Sequence, residues 1–295
     1  MQHLEEVKER YGFSAGAGYV PTTLPQVQFF WSTEAVPRAP LIYNAGIVLI
    51  LQGHKTGYLG DHVFEYDPDH FLVVSLPTPF DCATFATPED PLLGLFIHID
   101  VAVLRELAPL ATPAQTAPTG TPALGLAPVP VDPDMKAAVD RLLRALCSEA
   151  ESRALGTGIV REVLFHALNG PHGGALQALA KADSHFERVS RSIVHIREHY
   201  PQNITVDALA DTAGMSAPVF FRAFKSITGS SPLQYLKATR LSRAKGLLLE
   251  GSVGVAEAAH RVGYENAAHF SREFKKHFHV SPKEAQSSGY VPIDV

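Results

Sequence analysis

The sequence predicts an α+β chain, with a β-rich front of barrel or sandwich type, flanking helices, and an all-α back half carrying two helix-turn-helix units. Three observations predict it. Short runs of β-branched and aromatic residues, punctuated by Gly, Pro and Asp, crowd residues 26–100. Helical periodicity replaces them from about Asp132 onward. Finally, a small basic unit studded with aromatics occurs twice: "FFRAFKSITGSSP" at 220–232 returns as "FSREFKKHFHVSP" at 270–282. Phe220/Phe270, Arg222/Arg272, Phe224/Phe274, Lys225/Lys275, Ser231/Ser281 and Pro232/Pro282 are identical in the two copies.

The chain has 295 residues, long enough for about two domains, and 46% apolar with 19% charged residues suits a folded protein. Its net charge of −5 hides a split. Residues 181–295 hold 15 Lys+Arg against 11 Asp+Glu, whereas 1–180 hold 10 against 19. An acidic front joined to a basic back is the kind of asymmetry that a polyanion partner for the back half explains.

In chain order, "QVQFFWS", "GIVLILQG", "KTGYLG", "HVFEY", "FLVVSL", "DCATFA" and "LLGLFIHI" read as strands, and Gly60-Asp61 as a tight hairpin turn needing positive φ. Many short strands at this spacing argue for a sandwich or barrel rather than alternating strands and helices. The Pro-, Ala- and Thr-rich stretch 111–134 reads as a long loop. Two amphipathic helices follow, "DPDMKAAVDRLLRALCSEAESRA" and "TGIVREVLFHALNGPHGG", the second stopping at Asn169-Gly170. They either face another subunit or cover their own sheet. The polar stretch Lys181–His185 marks the expected boundary.

From Phe186 on, short helices follow one another, with Thr205, Ser216 and Asn266 placed to cap starts and Gly214, Gly251 and Gly263 at stops. In "TVDALADTAGMSAPVFFRAFK" small residues let one helix cross another closely, Gly214 permits the turn, and Phe220 and Phe224 share one face. "GVAEAAHRVGYENAAHFSREFK" repeats the scheme with Gly263, Phe270 and Phe274. Between them, 233–249 forms a helical spacer that can hold two recognition helices about one turn of B-DNA, roughly 34 Å, apart. A plain helical bundle explains the repeated Phe but not the repeated Arg and Lys.

These paired segments, over about 193–282, closely resemble the DNA-binding region of AraC-type transcriptional regulators. "YNAGIVLILQGHKTGYLG" (43–60), the strands after it to Asp100, and "REVLFHALNGPHGGAL" (161–176) are similar to the cupin-type N-terminal domain of one subgroup of that family. The resemblance implies an N-terminal cupin-like β-barrel with flanking helices that senses a small effector and dimerises (1–184; barrel about 26–100, helices about 132–178). It also implies a C-terminal DNA-binding domain (185–295) with helix-turn-helix units at about 205–228 and 255–278. Carried over residue by residue, the base-facing positions fall on Pro218, Phe221 and Arg222 in the first unit. In the second they fall on Ala267, Ala268, His269 and Arg272. Pro218 and Phe221 offer no side-chain hydrogen bonds to bases, leaving Arg222 as the reader of guanine there. Ser216, Lys225, Arg240, Arg243, Asn266, Lys275 and Lys276 are the expected phosphate contacts. His279 stands where the first copy has Gly229, so a different helix end is expected there.

Among the strand residues, Tyr43, Tyr58, Tyr66 and His98 are the candidates to orient an effector in an apolar pocket. Cupin barrels also host metalloenzymes, but His54, His62, His70 and His98 form no HxH pair, and no nucleophile triad or phosphate loop is legible. No enzyme activity and no cofactor or metal are expected. Cys82 and Cys147 show neither disulfide-framework nor ligand spacing. The longest strongly apolar run, Gly46–Leu51, is far short of the roughly 20 residues a membrane span needs. The start shows no signal-peptide pattern. A cytoplasmic homodimeric regulator is therefore expected, partnered by promoter double-stranded DNA, a small-molecule effector and RNA polymerase, as activator or repressor. The rival readings are a cupin-type metalloenzyme with a tethered DNA-binding domain, and an effector-independent DNA-binding protein.

Overall fold

The computed structural model describes residues 3–112, 125–181, 184–251 and 253–288. Helix α1 (Leu4–Tyr11) leads into β1 (Ala17–Pro21), β2 (Val27–Ser32), β3 (Val36–Tyr43), β4 (Gly46–Gln52) and β5 (His54–Leu59). Then come β6 (His62–Tyr66), β7 (His70–Val74), β8 (Thr78–Phe85), β9 (Leu92–His98), α2 (Val101–Leu107) and β10 (Leu126–Pro130). The strands form two antiparallel sheets, β1-β2-β9-β4-β7-β10 and β3-β8-β5-β6. No strand pair among the described residues joins them, so the expected barrel is an open double sheet. The Gly60-Asp61 turn is as expected: Leu59 pairs with His62, and Gly60 sits at φ 59.

The larger sheet is covered on both faces, which is why its central strands are continuous apolar runs rather than alternating ones. Ile47, Leu49 and Leu51 point into one cluster with Leu95 and Ile97; Val48 and Ile50 point into the other with Phe30 and Phe96. Period-two geometry sorts neighbours to opposite faces. The first cluster is sealed by α3 (Pro133–Leu146), α4 (Glu149–Asn169) and α5 (Gly173–Ala180), whose Leu142, Leu146, Val163 and Leu176 are buried in it. These helices therefore cover their own sheet. The break between α3 and α4 falls at Cys147-Ser148, earlier than the periodicity suggested, because Ser148 Oγ accepts from the Glu151 N–H and starts a new helix.

The back half comprises α6 (His185–His199), α7 (Val206–Ala213), α8 (Ala217–Thr228), α9 (Pro232–Leu249), α10 (Val255–Arg261), α11 (Ala267–Phe278) and α12 (Pro282–Ser288). The repeat is explicit in the caps. Thr205 and Asn266 cap α7 and α11, accepting from Ala208 and His269 N–H; Ser216 makes no such bond at α8. Each copy ends in a Ser-Pro that opens the next helix, with Ser231/Gln234 and Ser281/Glu284 bonded reciprocally. The expectation that His279 changes the helix end is not met: Gly229 (φ 73) and His279 (φ 62) are both left-handed, and both N–H groups bond the carbonyl at the matching lysine, Lys225 or Lys275.

Candidate nucleic-acid interface and effector region

The repeated residues divide by face. Phe220 and Phe224, and Phe270 and Phe274, are fully buried, with ring centroids 5.4 and 5.5 Å apart. The first pair belongs to the core shared with the sheets, the second to a separate core with Leu241, Ala244 and Leu248 of α9. Pro218, Phe221, Arg222 and Lys225 of α8 are exposed, as are Ala267, Ala268, His269, Arg272, Lys275 and Lys276 of α11, and so are Ser216 and Asn266 at the helix starts. Phe221 keeps 41% of its surface exposed. Among the described residues, none of Arg222, Lys225, Arg272, Lys275 and Lys276 makes an ion pair. Such uncommitted cations on the outer faces of paired helices are suited to a polyanion.

Arg240 and Arg243 sit elsewhere. Arg240 Nε donates to Tyr200 O at 2.7 Å and a terminal nitrogen donates to Gln202 O at 2.8 Å, tying α9 to the end of α6. Its position is structural, which sequence spacing could not show. Arg243 lies 6.0 Å from the Tyr200 ring centroid and borders a cleft between the halves. Lys237 of α9 and Glu273 of α11 form an ion pair that sets the second unit against the spacer.

The four effector candidates do not converge. Tyr43 and Tyr66 meet between the sheets: Lys55 Nζ donates to Tyr43 Oη at 2.9 Å, the two hydroxyls are 3.2 Å apart, and Tyr66 Oη is 3.2 Å from Cys82 Sγ. Lys55, opposite Tyr66 in the strand register, is 2% exposed with its ammonium 5.6 Å from the Phe30 ring centroid. Burial lifts both phenols above their ordinary range. Sequence reasoning missed Lys55; its signal was a cation inside an otherwise strand-like run. Tyr58 instead lies under the Arg38 guanidinium, and half-buried His98, its pKa lowered by desolvation, meets the edge of Phe96. Among the described residues no group of three or more His, Cys, Asp or Glu could hold a metal ion, and no helix is long and apolar enough to cross a membrane.

The two halves touch directly. Tyr235 Oη donates to Pro77 O at 2.7 Å, Gly125 N–H to Ile227 O at 2.9 Å, and Arg197 to Asn44 Oδ1 at 2.5 Å. At the end of α11, His277 borders a groove shared with Arg38 and Asp81; desolvation lowers its pKa to about 4 against the opposing pull of Asp81.

A double sheet joined to paired helix-turn-helix units defines the class of fold, and comparison with known proteins gives the family. Residues 23–175, just over half of the chain, match the model of the AraC-type transcriptional regulator N-terminus, and 209–288 match a helix-turn-helix domain. The chain belongs to the AraC-type transcriptional regulators. It is 28% identical over 152 residues to the HTH-type transcriptional activator RhaS of Escherichia coli O1:K1, covering 50% of this chain and 52% of that protein. A second RhaS, from Escherichia coli O9:H4 (strain HS), is 31% identical over 97 residues, 33% of this chain and 35% of that protein. The chain thus spans about half the length of the curated relatives it matches. In fold it is similar to a point variant of apo ToxT from Vibrio cholerae, at a TM-score of 0.58 and 10% identity over 88% of this chain and 96% of that one. It is also similar to the unsaturated fatty acid bound wild-type ToxT, at 0.54 and 11%, over 93% and 96%.

Proposed function

We propose that this chain binds promoter DNA sequence-specifically and regulates transcription as a homodimer, with RNA polymerase as partner and a small molecule as effector. Residues 1–184 form the sensing and dimerising unit and 185–295 the DNA-binding unit. Arg222, His269 and Arg272 read base edges, with Pro218, Phe221, Ala267 and Ala268 supplying apolar contact. Ser216, Lys225, Asn266, Lys275 and Lys276 hold phosphates. The observation that carries this reading is the recurrence of Arg222/Arg272 and Lys225/Lys275 on exposed faces where packing has no use for them. The effector lodges between the sheets near Tyr43, Lys55 and Tyr66, where a buried ammonium and two hydroxyls can orient a polar group. That solved ToxT carries an unsaturated fatty acid supports small-molecule control. Effector binding shifts the population of arrangements in which both readers engage DNA.

The test is anisotropy binding to DNA from upstream of the chain's own gene, against scrambled competitor. Specific binding is expected, weakened by about 1–3 kcal/mol and relaxed at one base position in Arg272→Ala. Equal affinity for scrambled DNA, with and without every candidate ligand, sinks the proposal.

A further inference from the structure

The helical half carries a histidine pair that lies outside the strand histidines considered for a cupin metal site. His195 and His199 stand one turn apart on α6, both half-buried, with ring centroids 4.4 Å apart and planes 20° from parallel. His199 Nδ1 lies 3.1 Å from the His195 carbonyl oxygen. A carbonyl only accepts, so the proton sits on Nδ1 and the His199 lone pair is left on Nε2. Histidines that ligate metals are commonly fixed in this way, one ring nitrogen donating to a backbone carbonyl while the other coordinates. The neighbours do not compete for the pair. Arg191, one turn before His195, lies 3.5 Å from Glu187, a further turn back. His3, His70 and His166 each lie within 3.7 Å of a carboxylate, whereas among the described residues neither His195 nor His199 is paired with one.

We propose that His195 and His199 form a bidentate site for a divalent transition metal of the zinc, nickel and copper class. Imidazole suits these ions, whereas magnesium and calcium prefer oxygen ligands. A zinc–nitrogen bond is about 2.0–2.1 Å and a ring centre lies about 1.1 Å behind its nitrogen, so two adjacent imidazole ligands hold their centres about 4.5–5 Å apart. The 4.4 Å between these rings is close to that separation, and turns about χ2, a broad torsion in histidine, make the lone pairs converge. The pair also closes the C-terminal turn of α6, where the helix dipole favours positive charge. Two protein nitrogens leave the other coordination positions to water or an incoming donor. The position gives binding a consequence. α6 braces the first helix-turn-helix unit: Ser192 Oγ donates to Leu209 O at 2.8 Å and Arg188 to Gly214 O at 3.1 Å. A metal joining residues 195 and 199 staples the last turn of that brace and stabilises its folded form by mass action. Binding is measurable without DNA, so failure of the regulator reading and failure of this one are separate results.

The test titrates zinc chloride into the ¹⁵N-labelled full chain at constant ionic strength, following assigned imidazole nitrogen resonances, with magnesium chloride as control. The His195 and His199 signals are expected to move together and saturate with one Kd of about 0.1 mM or tighter. Magnesium should leave both in place. In His195→Gln the His199 signal should need at least about tenfold more zinc, and His199→Gln should do the same to His195, because each ligand binds tightly only alongside the other. Signals that stay still up to about 1 mM zinc, ten times the expected Kd, overturn the proposal. So do shifts that magnesium reproduces, two signals that titrate independently, or a remaining histidine that keeps its zinc affinity in either variant. Should a variant fail to fold, the zinc–magnesium contrast and the shared Kd in the unaltered chain decide alone.

Discussion

Replacing Arg240 with alanine separates the architecture of the helical half from its contacts with DNA. The guanidinium makes two charge-assisted hydrogen bonds to backbone carbonyls, Tyr200 O at 2.7 Å and Gln202 O at 2.8 Å. Hydrogen bonds to charged groups contribute about 1.5–3 kcal/mol when well buried. Arg240 is only half-buried, so water can replace part of what is lost. The two bonds also share one side chain and do not add fully. A net destabilisation of about 2 kcal/mol follows. Urea unfolding followed by circular dichroism should show a midpoint lowered by roughly 1 M, given slopes of about 1–3 kcal/mol per molar. Below the transition, DNA affinity per folded molecule should match the parent within a factor of about two. Lys275→Ala should do the reverse, leaving the midpoint in place while lowering the salt slope of DNA binding by about one. If Arg240→Ala left the urea midpoint unmoved and weakened DNA binding instead, the assignment of Arg240 to structure would be refuted.

Three further outcomes are expected. The His277 imidazole is held neutral, its pKa lowered from 6.5 to about 4, so the stability it confers is complete above pH 6.5 and is lost as pH falls toward 4, by up to about 3 kcal/mol; urea midpoints across that range should fall less steeply in His277→Gln. His279→Gly should stabilise the chain by up to about 1 kcal/mol, since a non-glycine left-handed residue costs about 1–2 kcal/mol and glycine returns part of that as unfolded-state entropy; thermal melts check this, and a lowered Tm counts against it. Gly263→Ala should destabilise by more than about 1 kcal/mol, because φ is +87 and the new Cβ would stand 2.3 Å from Pro201 O. Gly214→Ala, with a left-handed φ but open space around it, should cost less in the same melts.

The duplicated unit was legible because everything that makes it is local: a glycine at each turn, two aromatics one helical turn apart, and Ser-Pro with a polar partner three residues on from the serine. The strands missed in the sequence share a different property. β1, β3 and β10 are all edge strands containing proline, and each has a neighbour on one side only. Proline is tolerated there because a ladder hydrogen bond is needed on one side alone, so Pro128 and Pro130 hid a strand in what read as loop. α1 and α2 also went unread. The α3–α4 break had a visible Ser148–Glu151 signature, overridden by uninterrupted periodicity. The seam was not legible at all. Asn44 and Arg197 lie 153 positions apart, and nothing local says that they meet. For the same reason Tyr43 and Tyr66 could be named as candidates, but the chain of contacts from Lys55 through Tyr43 and Tyr66 to Cys82 could not.

The spacer α9 runs unbroken for 18 residues, about 27 Å at 1.5 Å per residue, and is locked at its flank by Arg240 and through Lys237 to α11. A ruler of that kind fixes phase as well as length. One base pair inserted between two half-sites swings the second around the duplex by about 34°, since a helical turn holds about 10.5 base pairs. A chain with a flexible hinge between its readers follows that rotation; with both units reading DNA as proposed, this one must twist the DNA or let go with one hand. Operators for such a protein can drift in letters far more readily than in spacing.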